Sequence, residues 1–323
     1  MRGFFFIVGP TAVGKSEIAA DVAVDLDAEI VSADAFQIYR DFDLLTAKPD
    51  HATLVKIPHH LIGRVPISEE MNAEKFRKLA LRAITEVHSR GKRAIVVGGS
   101  GLYIKALTHG LSVTPSADPD LRARLNELSL ADLQEKLRGL DPAIPKTIDM
   151  KNRRRLVRAI EICVLTGKPA STQRKQWSVA ASLWDAQSAG EKEKPSRASH
   201  SEAATGVFVF RDRNDLYQRI NRRVEAMFEA GVIEEVSATD QLGETASKMI
   251  GIREIRRLLD SKMSTLECVA AIQQATRRYA KRQLTWFRRQ TNFQPLNLSL
   301  LSRNEAVKWI SQKARPAFSQ GND

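Results

Sequence analysis

The chain has 323 residues, of which 43% are hydrophobic and 27% charged, and its formal net charge is +12. This length allows one large domain or two modest ones with cores of their own. The composition is that of a globular protein and excludes a disordered or fibrous chain. The surplus of Lys and Arg favours a polyanionic partner such as nucleic acid, although a basic protein with an ordinary solvated surface has the same charge.

The lengths of the apolar runs and the two cysteines indicate the cellular compartment. No apolar run approaches the roughly 20 residues of a membrane span, and the apolar stretch in the opening MRGFFFIVGP is too short for a signal peptide. Cys163 and Cys268 have neither metal-binding nor redox spacing, which is typical of a reducing compartment. We therefore expect a cytoplasmic protein with no membrane contact.

The first part of the chain predicts alternating strands and helices. Phe4–Val8 is an apolar run typical of a buried strand, and Ser16–Leu26 has apolar residues at helical spacing. Glu29–Ser32 predicts a second strand, Ala73–Arg90 a helix ended by a glycine, and Arg93–Leu107 a strand, a glycine turn and a helix. This alternation predicts an α/β fold, a P-loop NTPase-like parallel sheet with flanking helices on both faces.

The second part changes character after Leu111, where the pattern becomes helical and rich in arginine. Residues 178–205 are mostly Ala, Ser, Glu and Lys and predict a mobile loop. The segment GVFVFRDR then predicts another strand, and long helices follow. The simplest organisation is a catalytic α/β core of residues 1–112 and 205–311, a helical insertion at 113–204 and a frayed tail at 312–323.

The segment GPTAVGKS between the first strand and helix matches the phosphate-loop pattern G-x-x-x-x-G-K-[ST]. In that setting backbone N–H groups and the helix N-terminus face an anion, Lys15 supplies a charge and the Ser16 hydroxyl binds Mg²⁺. The residues expected to bind phosphate are Gly9, Pro10, Thr11, Ala12, Val13, Gly14, Lys15 and Ser16. The motif does not specify whether the phosphate compound is hydrolysed, transferred or released.

The positions of the carboxylates indicate which reactions the phosphate loop serves. A nucleotide-hydrolysing enzyme normally ends a second strand with a carboxylate that holds Mg²⁺, whereas the strand Ala94–Val97 ends in Gly98–Gly101. Asp34 remains near the carboxyl ends of the strands, where open α/β sheets bind ligands. It is a candidate metal ligand, helix cap or general base, and the absence of a neighbouring carboxylate favours the base. The turn Gly98–Gly101 is either a tight strand end or a second group, including Ser100, that faces the phosphate.

Two segments combine cations with other side chains. Lys151–Ile162 places Arg154, Arg155 and Arg158 on one side of a helix, opposite apolar residues. The segment ATRRYAKRQLTWFRRQ interleaves Arg and Lys with Tyr279, Trp286 and Phe287. Charge runs are usually solvated helix faces, but cations interleaved with aromatic residues favour contacts with a nucleic-acid backbone and stacking on bases.

With these motifs in view, the chain resembles the tRNA dimethylallyltransferase family, also called isopentenyltransferases. The resemblance covers nearly the whole chain except residues 178–205 and the tail. It is carried by GPTAVGKS, VSADAFQIYRDFDLLTAKPD, PHHLI, GGSGLYIKAL, SADPDLRARL, RRLVRAIEICVLTGKP, QRINRRVEAMFEAG and AKRQLTWFR.

The resemblance implies that the loop grips a leaving group. Such enzymes transfer the prenyl group of dimethylallyl diphosphate to N6 of the adenosine 3′ of the anticodon of tRNA. It implies that Asp34 is the base, that Lys15, Ser16, Ser100 and Arg223 serve the diphosphate with Mg²⁺, and that the insertion holds the anticodon stem-loop. It also implies a monomer. The residues that match tRNA-contacting positions are Asp34, Ala35, Phe36, Gln37, Ser100, Arg122, Arg154, Arg155, Leu156, Val157 and Arg158.

The chain also departs from the family pattern. Ala35-Phe36-Gln37 replaces a common Ser-Ala-Leu, Gly63 stands where aspartate is usual, and Asp41 stands where glycine is usual. Met249–Glu254 replaces A-x-G-Y-K/R-E. Three other hypotheses remain open: a nucleotide kinase or ATPase acting on RNA, an RNA-binding protein with a relic loop, and prenyl transfer to free adenylate.

Overall fold

The computed structural model describes residues 3–111, 115–146, 148–174, 206–239 and 241–319. The chain divides into two compact units, Met1–Thr108 with Lys194–Asp323, and His109–Glu193. The first unit therefore ends earlier than the boundary expected after residue 112, because its fourth helix ends at Thr108. The predicted loop at 178–205 lies outside the described residues.

The first unit contains a six-stranded sheet in which every pairing is parallel. The strands are β1 Phe4–Val8, β2 Ala28–Ser32, β3 His59–His60, β4 Arg93–Gly98, β5 Gly206–Phe210 and β6 Phe293–Asn297. Along the sheet the order is β3-β2-β4-β1-β5-β6. The predicted α/β class and parallel sheet are confirmed.

Helices connect and cover these strands, and four of them belong to the second unit. The helices of the described residues are α1 Lys15–Asp25, α2 His51–Leu54, α3 Ala73–Ser89, α4 Gly101–Thr108, α5 Pro119–Glu127, α6 Leu130–Leu140, α7 Arg153–Thr166, α8 Ala170–Arg174, α9 Arg213–Glu229, α10 Val232–Ser237, α11 Ile252–Leu259, α12 Thr265–Phe287 and α13 Arg303–Ser319. None of them is long and apolar enough to cross a membrane.

The sheet is buried on both faces, as the apolar runs of its strands predict. Along β1, Phe6 and Val8 face one cluster and Phe5 and Ile7 the other, because successive side chains of a strand point to opposite faces. Helices α3, α4 and α11 contribute to the first cluster, and α1 and α13 to the second. Both α9 and α12 contribute residues to each of the two clusters. Each of these helices also contacts the loop that follows β1, through Arg219 of α9 and Gln283 of α12.

The expected frayed tail from residue 312 is wrong. Helix α13 continues to Ser319, and Ile310, Ala314 and Phe318 are buried in the second cluster of the sheet. These residues recur every four positions, which places them on one helical face. The mostly polar composition of residues 312–323 had favoured a disordered tail over this apolar helical face.

The second unit, as far as the structure describes it, is helical. Asp118 caps α5 by accepting a hydrogen bond from the Leu121 amide at 2.9 Å, with Pro119 at the first position of the helix. The core of the unit includes Leu133 and Leu137 of α6 and Leu156 and Ile160 of α7. The predicted helical character of this region is therefore confirmed.

Candidate active site

The phosphate loop leaves the carboxyl end of β1 and runs into the first turn of α1. Ala12 and Gly14 have φ values of 61° and 93°, and such left-handed residues let consecutive N–H groups form a concave anion site. Lys15 begins α1, and its Nζ donates to the Pro10 carbonyl at 3.3 Å. The Ser16 hydroxyl lies in the first helical turn, where orphan N–H groups also favour an anion.

Two arginines that sequence reasoning missed hold this loop from outside. Arg211, directly after β5, donates from Nε to the Val13 carbonyl at 2.9 Å. Arg219 of α9 donates from Nε to the Ala12 carbonyl at 2.9 Å. Both guanidinium groups lie at the loop, and that of Arg211 also pairs with Asp215 at 2.9 Å. The sequence could have indicated both residues, because Arg211 directly follows a predicted strand and Arg219 lies one helical turn before Arg223.

Lys15 and Arg223 both have lowered pKa values. Burial lowers the pKa of Lys15 to about 8, an effect that Asp34 opposes and Arg223 increases. Burial likewise lowers the pKa of Arg223 to about 10, with Asp34 opposing and Arg219 adding to the effect. The folded protein thus holds cations at a free-energy cost before any ligand arrives. A bound polyanion would offset this cost, which is the signature of a binding site rather than a structural ion pair.

Asp34 follows β2 at the same edge of the sheet as the phosphate loop. Its Oδ1 accepts hydrogen bonds from the amides of Phe36 at 3.0 Å and Gln37 at 3.3 Å. These bonds fix the carboxylate on its own loop, and Oδ2 has no hydrogen bond within the described part of the chain. The Gln37 side chain donates to the Ala47 carbonyl at 2.8 Å, which anchors the far end of the loop.

The turn after β4 lies between these two loops, since β4 pairs with both β1 and β2. The backbone approach is close: a Cβ on Gly98 would lie 2.2 Å from the Ala33 carbonyl oxygen. Ser100 is buried, and its Oγ accepts a hydrogen bond from the Ala35 amide at 3.0 Å. The interpretation as a tight strand end is therefore confirmed, since the glycines permit the approach. Ser100 contacts the loop that carries Asp34, and its predicted role at the phosphate stays a prediction.

Gln283 of α12 links the phosphate loop to this turn. Its Oε1 accepts from the Thr11 amide at 2.9 Å and its Nε2 donates to the Gly99 carbonyl at 2.9 Å. The side chain is 6% exposed, so both amide groups are satisfied inside the protein. Sequence reasoning missed Gln283; the signal was a polar residue on the buried face of α12, between Ala280 and Phe287.

Two pockets meet at Asp34. The smaller one also involves the polar side chains of Lys15, Ser16, Ser32 and Gln37, together with apolar residues such as Ile30 and Val97. The larger one joins Asp34, Thr11, Arg223 and Tyr279 to an apolar wall. That wall includes Leu45, Val224, Met227, Phe228, Val232, Met249, Ile250, Ile255 and Ile272. The site can therefore hold a ligand that is anionic at one end and apolar at the other, with a carboxylate at the junction.

The smaller pocket offers Mg²⁺ only a few oxygen atoms of the protein. Ser16, Ser32 and Asp34 offer oxygen atoms, which are the ligands that Mg²⁺ prefers. No cluster of three or more His, Cys, Asp or Glu side chains suited to a metal occurs among the described residues. Such a site suits an ion that obtains most of its ligands from substrate phosphates and water.

The second unit contains its own charged cluster. Glu161 is 0% exposed, and it pairs with Arg122 at 3.0 Å and with Arg158. It also accepts from the Asp118 amide at 2.8 Å. Arg122 and Arg158, both expected to contact tRNA, are thus fixed from within and remain partly exposed.

The side chains of Leu156 and Val157, two positions that match tRNA-contacting positions, do not face solvent. Leu156 is 0% and Val157 6% exposed, and both pack in the core of the second unit. Arg154 and Arg155 on the preceding turn are exposed. A contiguous stretch of helix turns through about 100° per residue, so only part of it faces solvent.

We expect Glu161→Gln to loosen α7. Breaking a buried ion pair costs about 3–5 kcal/mol, but the two arginines are about a third exposed, so about 2 kcal/mol is expected here. The measurement is hydrogen exchange of the α7 amides, which should become faster. Glu135→Gln, at an exposed position of α6, is the matched control. Equal protection in the two variants would contradict a structural role for Glu161.

One of the three aromatic residues of α12, Phe287, is not accessible for the expected stacking on bases. Phe287 is 1% exposed and stacks on Phe208 at 5.4 Å. Trp286 packs against Gly101, where a Cβ would lie 2.7 Å from the ring. Tyr279 lines the larger pocket. The exposed cations of this segment are Arg278, Lys281, Arg282, Arg288 and Arg289.

Fold and site together define a phosphate-loop α/β protein with a lone carboxylate beside the loop. The family model described as IPP transferase matches residues 37–290. A tRNA dimethylallyltransferase of Akkermansia muciniphila is 38% identical over 88% of this chain and 90% of its own length. One of Geobacter sulfurreducens is 38% identical over 95% of this chain and 91% of its own. The chain belongs to the IPP transferase family.

Solved structures agree with this assignment. The tRNA isopentenylpyrophosphate transferase of Bacillus halodurans is 31% identical with a TM-score of 0.68, covering 99% of this chain and 98% of its own. A eukaryotic dimethylallyltransferase is 23% identical with a TM-score of 0.74, over 100% of this chain and 79% of its own, and supports the fold alone. The family resemblance predicted from the motifs is confirmed.

Proposed function

We propose that the protein transfers a dimethylallyl group from dimethylallyl diphosphate to N6 of the adenosine 3′ of the anticodon of tRNA. The observation that carries this proposal is the position of Asp34, which lies where the pocket of Lys15 and Ser16 meets the larger pocket with its apolar wall. The charge of Lys15 and the hydroxyl of Ser16 suit a diphosphate, and the apolar wall suits a short hydrocarbon. The relatives named above are called tRNA dimethylallyltransferases, which supports the transfer of this group to tRNA.

The geometry supports a displacement at carbon. The bond between C1 of the donor and its bridging oxygen breaks, and its electron pair leaves with the diphosphate. The loop amides, Lys15 and Arg223 are already in place to stabilise that charge, which is greater in the transition state than in the donor. Mg²⁺ held by Ser16 would supply further charge neutralisation on the diphosphate.

The acceptor amine needs a base, because the lone pair of N6 is delocalised into the adenine ring. In our proposal Oδ2 of Asp34 accepts the N6 proton while the lone pair forms the bond to C1, and the proton then passes to solvent. Oδ1 is occupied by the amides of Phe36 and Gln37. The loop thus orients the carboxylate while one oxygen stays available.

The acceptor adenosine must leave its stack to reach a carboxylate in a pocket, as bases in RNA loops do at low cost. The net charge of +12 and the exposed cations of α7 and α12 suit an RNA backbone. We propose that the second unit, which includes Arg122, Arg154 and Arg155, holds the anticodon stem-loop. We further propose that the protein acts as a cytoplasmic monomer.

The direct test mixes the protein with unmodified tRNA, dimethylallyl diphosphate and Mg²⁺. We expect a mass gain of one isopentenyl group on that adenosine, with one diphosphate released per group. A tRNA with guanosine at the same position is the matched control. Absence of product with every adenosine-containing tRNA, or product with free adenylate alone, would overturn the proposal.

The pKa of Lys15 predicts how donor binding depends on pH. Its folded value of about 8 lies below its ordinary value of 10.5, so the ligand-free fold becomes more stable as pH rises between these values. A bound diphosphate favours the charged amine and reverses this shift. We therefore expect kcat/KM for the donor to fall as pH rises above about 8.

The same shift predicts proton uptake on diphosphate binding at about pH 8.5. Calorimetry in two buffers of different ionisation enthalpy measures it. Lys15→Met should abolish that uptake. Identical proton uptake by the wild type and the variant would show that another group titrates.

A further inference from the structure

We propose that Glu235 is a positioning residue for the hydrocarbon end of the donor. The inference rests on the proposed function, because it concerns the pocket that would hold the prenyl group. Glu235 lies in the first turn of α10, outside every motif that carries the family resemblance. It acts on a turn of the chain that lines the larger pocket, rather than on the ligand.

The carboxylate of Glu235 holds two neighbouring backbone amides. Its Oε1 accepts from the Leu44 amide and its Oε2 from the Leu45 amide, each at 2.8 Å. Hydrogen bonds to an ionised acceptor are shorter and stronger than those between neutral groups. Because both oxygens are used, the contact fixes the orientation of the turn as well as its distance from α10.

The turn held in this way forms part of the larger pocket. Residues 42–47 belong to neither a helix nor a strand, and Leu45 and Thr46 line the pocket together with Asp34. Backbone amides in such a segment need partners outside regular secondary structure, and Glu235 supplies the partner for two of them. The position of this part of the wall therefore depends on a residue 190 positions further along the chain.

A second contact fixes the side chain of Leu45. It packs against Gly251, where a Cβ would lie 2.6 Å from Leu45 Cδ1. Gly251 has a φ of 106°, which glycine adopts without strain. The backbone of Leu45 is thus held by Glu235 and its side chain lies against Gly251. Loss of the Glu235 contact would let the turn move and would remove packing from a hydrocarbon in the pocket.

The effect is expected at the hydrocarbon end of the donor and not at its diphosphate. The phosphate loop is held separately, by Gln283, Arg211 and Arg219. Methyl diphosphate and dimethylallyl diphosphate have the same anionic group and differ only in the hydrocarbon. The ratio of their dissociation constants therefore isolates the contribution of the apolar wall.

The test measures the Kd of both ligands by calorimetry, with Mg²⁺ and without tRNA. We expect the wild type to bind dimethylallyl diphosphate more tightly than methyl diphosphate. Glu235→Ala should reduce this preference roughly tenfold, as does loss of about one methylene contact in an apolar pocket, and should leave the Kd of methyl diphosphate unchanged. Glu235→Gln, which keeps one acceptor oxygen, should have a smaller effect.

The matched control is Glu234→Ala. Glu234 is exposed and lies in the same first turn of α10, so its loss changes the net charge and the helix-dipole interaction equally. We expect the preference of the wild type in this variant. Hydrogen exchange of the Leu44 and Leu45 amides in the ligand-free protein should be faster in Glu235→Ala than in the wild type or in Glu234→Ala.

Three results would overturn the inference. They are an unchanged preference in Glu235→Ala, an equal loss of affinity for both ligands, and unchanged exchange of the two amides. Failure of the proposed function is distinct, because it is read from the wild type alone. A wild type that binds the two ligands equally would show that the larger pocket does not hold the prenyl group.

Discussion

Asp34→Asn is expected to lower kcat by about 10²–10⁴-fold, the usual contribution of a general base. The amide keeps the size of the side chain, and its oxygen can still accept from the amides of Phe36 and Gln37. It cannot take a proton from N6. Affinity for diphosphate should therefore survive, and single-turnover kinetics with equilibrium binding of diphosphate measure the two quantities separately.

The opposite end of β2, the strand that precedes Asp34, provides a matched control. Asp27 directly precedes β2, and its side chain is 74% exposed in an ion pair with Lys92. Its φ of 51° is one that asparagine adopts readily, so Asp27→Asn should fold and turn over normally. Normal turnover in Asp34→Asn would remove the base from the mechanism.

Arg223→Met is expected to reduce kcat/KM for the donor by about 10²–10³-fold, as does loss of one donor aimed at developing charge. The same change should raise the melting temperature of the ligand-free protein. The lowered pKa of Arg223 means that its charged form is disfavoured in the folded protein, chiefly because it is buried, although Asp34 lies nearby. Opposite changes in activity and stability are typical of a residue kept for function.

The neighbouring arginine separates this effect from general loss of charge. Arg222 on the same helix is exposed, so Arg222→Met changes the net charge equally without touching the pocket. We expect nearly unchanged donor kinetics and melting temperature in that variant. If Arg223→Met lowered the melting temperature and left kcat/KM intact, Arg223 would be a structural residue.

The sequence predicted those parts of the site whose signals are local. The phosphate loop is one contiguous motif between a strand and a helix, and Asp34 directly follows a short apolar run. Because β2, β4 and β1 are neighbours in a parallel sheet, their carboxyl ends had to meet. The phosphate loop and Asp34, each recognisable from its local sequence, thus lie at the same edge of the sheet, and Ser100 contacts the loop that carries Asp34.

Other parts depend on contacts between distant segments. The Thr11 amide meets Gln283 across 272 positions of sequence, and no local pattern predicts which residue of a long helix reaches the loop. The buried positions of Leu156 and Phe287 depend likewise on which face of each helix packs. Cation and aromatic spacing alone made Phe287 resemble a stacking residue, whereas its ring belongs to the core.

The central claim is that the phosphate loop holds a leaving group while carbon, not phosphorus, is attacked. The most direct measurement uses dimethylallyl diphosphate with heavy oxygen at the position that bridges C1 and the α-phosphorus, and follows the label by mass spectrometry. We predict that all of the label leaves with diphosphate and that the modified adenosine carries none. Label retained in an organic product, or turnover that consumes ATP at its γ-phosphate, would contradict the claim.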